Sequence, residues 1–217
     1  MEQFDIRVKV KRSLKELKFN RYRSVYDFES RLLPVKNGRY LFKHVPTSVS
    51  IVSNVEGFST PKTFCNENPL DLVRDFVRYL DNISKKQAGL NYRSYKEVLN
   101  SLYSKLNECE ERRNLKQVVR LKSVLRKFHN FIYQMPTVGF NSQAYDLVLI
   151  KPYFFEVLKE MKAFEKFDKN NPCLDKEMHY DRQINKGTSM LAFQTSSLKF
   201  LDILNFCPPQ VLSLIHI

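Results

Sequence analysis

Tryptophan is absent from the 217-residue sequence, and cysteine and glycine are scarce. The four cysteines, Cys65, Cys109, Cys173 and Cys207, lie far apart and form no C-x-x-C pair. Because a structural zinc site needs closely paired ligands, and the four histidines do not supply them, the sequence predicts no zinc site. We interpret the cysteines as reduced thiols.

Long apolar segments are absent as well. No run approaches the roughly 20 residues that a membrane-spanning helix needs. Glu2 and Asp5 stand close to the N-terminus, which is atypical of a secretory signal and of an acid-poor transit peptide. We therefore expect an intracellular protein that does not use a membrane as its partner.

What the sequence has in excess is positive charge. Its 36 lysines and arginines outnumber 23 aspartates and glutamates, which gives a formal net charge of +13. This balance favours polyanionic partners, with nucleic acid first and an anionic membrane surface second. Basic residues dominate positions 1–23, which we interpret as a lead-in rather than a dedicated DNA-binding arm. Residues 24–211 are then expected to form the folded domain.

The first half of the chain predicts two strands followed by helices. RSVYDFESRLLPV (23–35) and TSVSIVSNVEGF (47–58) have the composition and alternation of strands that pair as an antiparallel hairpin. NENPLDLVRDFVRYLDNIS (66–84) then predicts a helix, with Asn68 as its N-cap residue and Pro69 at the first helical position. Residues 95–133 have helical periodicity, so a basic helical hairpin is predicted as an insertion at about 90–135.

The second half predicts a short strand, a helix and a β-hairpin. TVGFN (137–141) is the strand, and a helix is predicted from about 145 to 164. Residues 167–182 are predicted to be a loop, and 188–206 a hairpin that turns at Thr195–Ser197. This order of elements is typical of an α/β domain with one mixed sheet.

Asp27 and Glu29 in YDFES are separated by one residue. On a strand such residues point to the same face, so the two carboxylates are expected to stand side by side. Like charges this close are unfavourable unless a cation lies between them. A D-x-E pattern on its own is also typical of a solvated strand face, so the pair does not decide the function by itself.

The second candidate stretch is NSQAYD, at the predicted entrance to the helix. Asn141 and Ser142 suit N-capping, which stabilises a helix by about 1 kcal/mol. Asp146 falls in the first turn, where the helix dipole favours a carboxylate. Taken alone, the stretch is as typical of a helix cap as of a functional site.

Taken together, these motifs resemble the 3′–5′ exonuclease domain of family B DNA polymerases. The likeness is to the protein-primed branch found in linear plasmids, viruses and self-synthesising transposons, and it covers most of residues 22–210. It is carried by YDFES (26–30) as the first exonuclease motif and GFNSQAYDLVLIK (139–151) as the second. HVPTSVSIVSNV (44–55) and LKFLDILNFCPP (198–209) are similar to strands of that branch.

The resemblance implies an RNase H-like fold that hydrolyses a mispaired DNA 3′ end with two divalent metal ions. Asp27 would bridge both ions, and Glu29 would hold one of them and orient the attacking water. Asp146 would bind the second ion directly or through water. Mg²⁺ or Mn²⁺ is implied as the cofactor, because both prefer hard oxygen ligands.

The same resemblance assigns residues to the DNA. Asn141 would contact the single-stranded 3′ end, and Tyr145 would shape the pocket around it. Asp202 is expected to have a supporting role only, and Ile203 stands where relatives often have serine or threonine. The basic helices would follow phosphates, and a terminal priming protein is a further partner that the resemblance implies.

The sequence departs from the family pattern towards its end. No tyrosine is followed by aspartate four residues later, so the third exonuclease motif is missing, as are the polymerase palm motifs. Residues 212–217, LSLIHI, match a translated sequencing adapter, which suggests a non-native tail on a gene fragment. We therefore expect the parent protein to be a DNA-directed DNA polymerase and this chain to have weak or no exonuclease activity.

Two other readings remain open on the sequence. The chain could be a non-catalytic, basic module for binding nucleic acid or protein, with its carboxylates serving as surface charge. It could also be an unrelated RNase H-like nuclease, which would need a fourth carboxylate from elsewhere, such as Asp202. The relative position of the carboxylates in the fold discriminates among the three.

Overall fold

The computed structural model describes residues 20–35, 41–142, 144–164, 178–186 and 189–206. These residues form a seven-stranded mixed sheet with three α-helices, so the predicted α/β class with a mixed sheet is confirmed. Most of the predicted lead-in and the whole of the predicted tail, 212–217, lie outside the described residues.

The sheet has the strand order β3-β2-β1-β4-β7-β6-β5. Its strands are β1 (Ser24–Pro34), β2 (Phe42–Ser53), β3 (Lys62–Cys65), β4 (Met135–Gly139), β5 (Tyr180–Lys186), β6 (Ser189–Thr195) and β7 (Leu198–Asp202). The helices are α1 (Pro69–Glu111), α2 (Leu115–Tyr133), α3 (Asp146–Glu160) and a short 3₁₀ helix (Ile203–Phe206). The three central strands, β1, β4 and β7, run parallel to one another. Their carboxyl ends therefore lie at the same edge of the sheet.

The predicted hairpins at both ends of the domain are present. β1 and β2 pair antiparallel along their whole length, with Asp27 opposite Ser50. The turn predicted between them, at 37–40, lies outside the described residues. β6 and β7 also pair antiparallel and are joined at Thr195–Leu198, where the prediction places the turn.

Helix α1 starts as predicted but does not end where the sequence suggests. The Asn68 side chain accepts a hydrogen bond from the Leu70 amide at 3.0 Å, and Pro69 occupies the first turn. The whole helix is 43 residues long. It runs without interruption through the polar stretch at 85–94, which the sequence leaves between two predicted helical segments. Gln87 and Asn91 are buried in this stretch, and both side-chain amides donate to the carbonyl of Ile132. These bonds to the last turn of α2 stabilise helix where local propensity favours a break.

The far half of α1 and α2 form the predicted helical hairpin, divided at Arg112–Asn114. This hairpin has an apolar cluster of its own, separate from that of the sheet. Its buried members are Leu99, Leu106, Val118, Leu125, Phe128 and Ile132. The hairpin is therefore stabilised by its own contacts along most of its length.

Helices α1 and α3 cover one face of the sheet. At its centre, the Tyr26 ring lies 5.4 Å from Phe76 of α1 and 5.9 Å from Phe200 of β7, measured between centroids. Phe154 of α3 lies 5.4 Å from Phe200 in an edge-to-face contact. Tilted and edge-to-face aromatic contacts add to the stability that burial of the rings provides. This core fixes which face of β1 points inward.

Two edge strands and one helix end differ from the prediction. β3 is absent from the sequence interpretation, and Tyr180–Lys186 form β5, whose first residues were assigned to the 167–182 loop. β3 is short and β5 is polar, so neither has a clear strand pattern in the sequence. Both become strands because they pair with the edge of the sheet. Helix α3 ends at Glu160, four residues before the predicted end.

Candidate metal and nucleic-acid site

β1 directs Asp27 and Glu29 away from the core. Tyr26 and Phe28, which flank Asp27, are each 2% exposed, whereas both carboxylates are exposed to solvent. The alternation follows the two-residue period of a strand. The two carboxylates therefore share one face, as their spacing predicts.

The register between β1 and β2 shifts between Glu29 and Ser30, at a β-bulge in which Thr47 of β2 is the extra residue. The Ser30 hydroxyl lies 2.5 Å from the Tyr145 hydroxyl and 3.0 Å from Nδ1 of His44. The Tyr145 and His44 rings also meet edge to face. Bulges turn side chains to new directions and are frequent beside functional sites. The contact between Ser30 and Tyr145 links the acidic part of β1 to the residue immediately before α3.

The turn between β4 and α3 is held by backbone atoms of Asn141. This residue has a φ of 51°, a left-handed conformation that asparagine adopts more readily than most residues. Its carbonyl accepts hydrogen bonds from the amides of Ala144 and Tyr145 at 3.2 and 3.1 Å. No side chain caps α3, so the interpretation of Asn141 and Ser142 as side-chain caps is wrong. The Asn141 side chain is exposed beside the strand ends.

Gly139 makes this turn possible at the end of β4. A Cβ atom placed here would lie 2.6 Å from Cβ of Ser142 and 3.0 Å from Cζ of Tyr26. Real Cβ atoms do not approach other atoms this closely. The missing side chain lets the turn fold back over β4 and brings Ser142 and the start of α3 against the core.

Asp146 is the most perturbed carboxylate of the site. It is 1% exposed, and neither of its oxygens has a hydrogen-bond partner among the described residues. Burial, followed by the negative charge of Asp27, raises the pKa of Asp146 to about 7, and Asp202 and Glu29 add to this rise. The nearby Phe28 amide lowers the pKa of Asp146, although it does not meet the geometry of a hydrogen bond. Asp146 therefore senses the other three carboxylates through space.

Asp202 belongs to this group, although the sequence suggests only a supporting role. It ends β7 and is paired in register with Gly139 of β4. It is 3% exposed, and its Oδ1 accepts a hydrogen bond from the Leu204 amide at 3.0 Å. This hydrogen bond lies at the start of the 3₁₀ helix. Asp202 is thus a fourth carboxylate, close enough to Asp146 to raise its pKa. The parallel arrangement of β4 and β7, which the motif pattern does not reveal, creates this proximity.

Tyr26 and Ser142 are two further polar residues that sequence reasoning missed. The Tyr26 hydroxyl and the Ser142 hydroxyl are both buried, and neither has a hydrogen-bond partner in the described part of the chain. Burial raises the pKa of Tyr26, and the charges of Asp146 and Asp202 raise it further, while Ser142 lowers it. The phenol is therefore protonated at neutral pH and can donate a hydrogen bond. Buried polar groups without partners concentrate at the carboxyl ends of the parallel strands, which is unusual in a folded interior.

The chemical character of these groups suits a divalent cation, but their positions do not form a complete binding site. Carboxylate oxygens are the ligands that Mg²⁺ and Mn²⁺ prefer, and the buried oxygens of Asp146 lack protein partners. Yet within the described residues no three or more His, Cys, Asp or Glu side chains form a ready metal-binding group. Asp27 and Glu29 are exposed whereas Asp146 and Asp202 are buried, so ligation of one ion by both pairs requires the side chains to move closer together.

No helix in the described part of the chain is both long and apolar enough to cross a membrane. No protein-family model matches the chain, and no match was found among curated proteins or among solved structures.

Proposed function

We propose that the chain contains most of an RNase H-like 3′–5′ exonuclease domain from a protein-primed family B DNA polymerase. In this proposal the parent protein is a DNA-directed DNA polymerase that acts in DNA replication. The observation that supports it best is that Asp27, Glu29 and Asp202, from two other segments of the chain, all lie close enough to the buried Asp146 for their charges to raise its pKa. A single motif is common by chance, but a fold that gathers the motifs in one place is not expected of unrelated surface charges.

The residues divide into those that hold metal and those that meet DNA. Asp27, Glu29 and Asp146 would hold two Mg²⁺ or Mn²⁺ ions, with Asp202 beside them. Bound ions neutralise charge on the attacking and leaving oxygens of an in-line displacement. Burial of Asp146 and Asp202 excludes water from one side of the site, which strengthens electrostatic interactions there.

Asn141 and Tyr145 lie where a DNA end would enter. The Asn141 side chain is exposed, and Tyr145 is 37% exposed. Its hydroxyl is positioned by Ser30 at 2.5 Å. A partly exposed ring fixed at one end is suited to contact a nucleotide, since bases stack on aromatic rings.

A second function is favoured by a specific observation. Since no ready metal-binding group exists among the described residues, the domain could serve as a non-catalytic module that binds nucleic acid through its positive charge. In that case Asp27 and Glu29 are solvated surface groups, and divalent ions have no specific effect on the fold.

Mn²⁺ is expected to stabilise the 1–217 chain, and Asp27→Ala is expected to remove that effect. At an ion concentration 100 times the Kd, one bound ion contributes about 2.7 kcal/mol, or a Tm increase of roughly 5 to 10 °C for a domain of this size. Thermal unfolding with and without Mn²⁺ measures this. The control is Asp75→Ala, because Asp75 is exposed on α1. Equal Mn²⁺ effects in parent, Asp27→Ala and Asp75→Ala would support the non-catalytic module instead.

The chain as given is expected to show negligible trimming of single-stranded DNA. The Tyr-x-x-x-Asp motif that supplies a further ligand and a water-positioning tyrosine is absent from the sequence. A labelled oligonucleotide incubated with purified protein and Mg²⁺ tests this. Robust, metal-dependent shortening that Asp146→Asn abolishes would show that Asp202 or another group replaces the missing ligand.

A further inference from the structure

A second candidate site lies at the opposite edge of the sheet. A cavity of about 390 Å³ opens between the last turns of α2, the start of β5 and the β6–β7 turn. This volume falls in the lower part of the range for small-molecule sites, about 300 to 1,000 Å³. Gln134, which lines the cavity, directly precedes β4, whereas Asp146 and Asn141 follow the end of β4. The two sites are therefore separated by the length of the strand, about 16 Å for five residues.

The cavity is lined by more positive than negative charge. Arg126, Lys127 and Arg182 contribute three cationic side chains, and Asp181 contributes the one carboxylate. Asp181 lies 3.5 Å from Arg182, whose Nε also donates to Gln194 at 3.0 Å. Arg126 and Lys127 form no ion pair with any residue that the structure describes. These two exposed cations on α2 are therefore available to an anion.

His129 does not contribute to this charge. His129 lines the cavity and is buried, with its Nε2 at 2.9 Å from the Tyr103 hydroxyl. Burial lowers the pKa of His129, so the ring is neutral at pH 7. The cationic side chains on which the argument depends are those of the arginines and the lysine.

The walls behind the cations are ordered by hydrogen bonds that do not involve the cations. The Gln134 side chain donates to the Thr195 carbonyl at 2.7 Å, which joins the end of α2 to the β6–β7 turn. The Ser196 amide donates to the His179 carbonyl at 2.7 Å, which joins that turn to the start of β5. The half-buried rings of Tyr133 and Tyr180 complete the wall. A cavity with fixed polar walls and aromatic surface has little ordering cost on binding.

From this arrangement we propose that the cavity binds the phosphate group of a nucleotide. Arg126 and Lys127 would contact the phosphate oxygens, because guanidinium and ammonium groups are the usual phosphate ligands in proteins. Tyr133 or Tyr180 would contact the attached base or sugar. The phosphate could come from a free nucleotide or from a nucleic-acid strand, and the chemistry of recognition is the same for both. This proposal rests on the cavity alone and does not depend on the exonuclease assignment.

The test compares two double variants of α2 that remove the same charge. Arg126→Ala/Lys127→Ala removes the two cavity cations that lie on α2, and Lys116→Ala/Arg120→Ala removes two exposed cations from the same helix outside the cavity. Binding of a fluorescent, 5′-phosphorylated single-stranded oligonucleotide is measured at several salt concentrations, and binding of dTMP by calorimetry. We expect the cavity variant to bind the oligonucleotide at least tenfold more weakly. Its slope of log affinity against log salt should fall by about 0.7, for one lost phosphate contact on a single strand.

The dTMP and oligonucleotide measurements together distinguish a free nucleotide from a nucleic-acid strand as the source of the phosphate. Loss of both dTMP and oligonucleotide binding in the cavity variant identifies a nucleotide site, and loss of oligonucleotide binding alone identifies a strand phosphate. Equal losses in the two double variants, or no loss in the cavity variant, would overturn the proposal. Mn²⁺ should change the thermal stability of the cavity variant by the same amount as that of the parent, which keeps a failure of the acidic site distinct from a failure of the cavity.

Discussion

Asp146→Asn should make the metal-free protein more stable above pH 7. The folded-state pKa of Asp146 is raised to about 7 from an ordinary value of 3.8. A raised pKa means that the fold favours the protonated acid. The stability contributed by Asp146 is therefore fully present below about pH 4 and is lost as pH rises through about 7. Since each pKa unit corresponds to about 1.4 kcal/mol, the loss is on the order of 2 to 4 kcal/mol.

Denaturant unfolding in EDTA between pH 5 and 8.5 measures this effect. The Asn variant carries no charge at position 146, so its advantage over the parent should be small at pH 5 and largest above pH 7. Asp75→Asn is the control, because Asp75 is exposed and should respond little. An Asn variant that is equally or less stable than the parent at every pH would mean that the carboxylate is solvated or paired in the fold.

Divalent ions should reverse the order of the two proteins. The repulsion that destabilises the metal-free parent is the interaction that a cation between the carboxylates relieves. With saturating Mn²⁺ the parent should gain stability, and Asp146→Asn should gain much less. This reversal distinguishes a metal site from a carboxylate whose burial only destabilises the fold. In the second case Asp146→Asn would be the more stable protein with and without Mn²⁺.

Gly139→Ala should destabilise the domain by about 1 to 3 kcal/mol, because the new methyl group overlaps the buried side chain of Ser142. Its Cβ would lie 2.6 Å from Cβ of Ser142, which is 0% exposed. Overpacking of a rigid site costs about 1 to 3 kcal/mol and occasionally more. The loss should also release α3 from its position and weaken Mn²⁺ binding along with stability.

Gly89→Ala is the matched control for this substitution. Gly89 lies within α1, and a Cβ atom there would meet nothing within 4 Å. Alanine is favoured over glycine in a helix interior by about 0.5 to 1 kcal/mol, so this variant should be more stable than the parent. Denaturant unfolding of both variants compares the same chemical change at two positions. A tolerated Gly139→Ala would show that the turn is looser than its contacts indicate.

The strand and helix starts were predictable because they depend on local patterns. The alternation around Asp27, with Tyr26 and Phe28 inward, follows from the sequence of β1 alone. The start of α1 is equally local, since Asn68 and Pro69 supply the cap and the first turn. In both cases the residues from which the element is predicted are also the residues that form its stabilising contacts.

What the sequence did not reveal depends on contacts between distant segments. Gln87 and Asn91 are polar and read as a helix break, but they bond to Ile132 and keep α1 continuous. Asp202 joins the acidic group only because β7 lies parallel to β4. Ser142 reads as a cap, but the turn at Gly139 buries it against Tyr26. Periodicity carries no information on which strands become neighbours.

Direct counting of bound Mn²⁺ tests the central claim, that the carboxylates at the strand ends form a divalent-metal site. The electron paramagnetic resonance signal of free Mn²⁺ decreases on binding, so a titration gives the number of bound ions and their affinity. We predict saturable binding of one or two ions by the parent and by Asp75→Asn. Asp27→Asn and Asp146→Asn should each bind at least tenfold more weakly. Equal binding by all four proteins, or no saturable binding by the parent, would contradict the account.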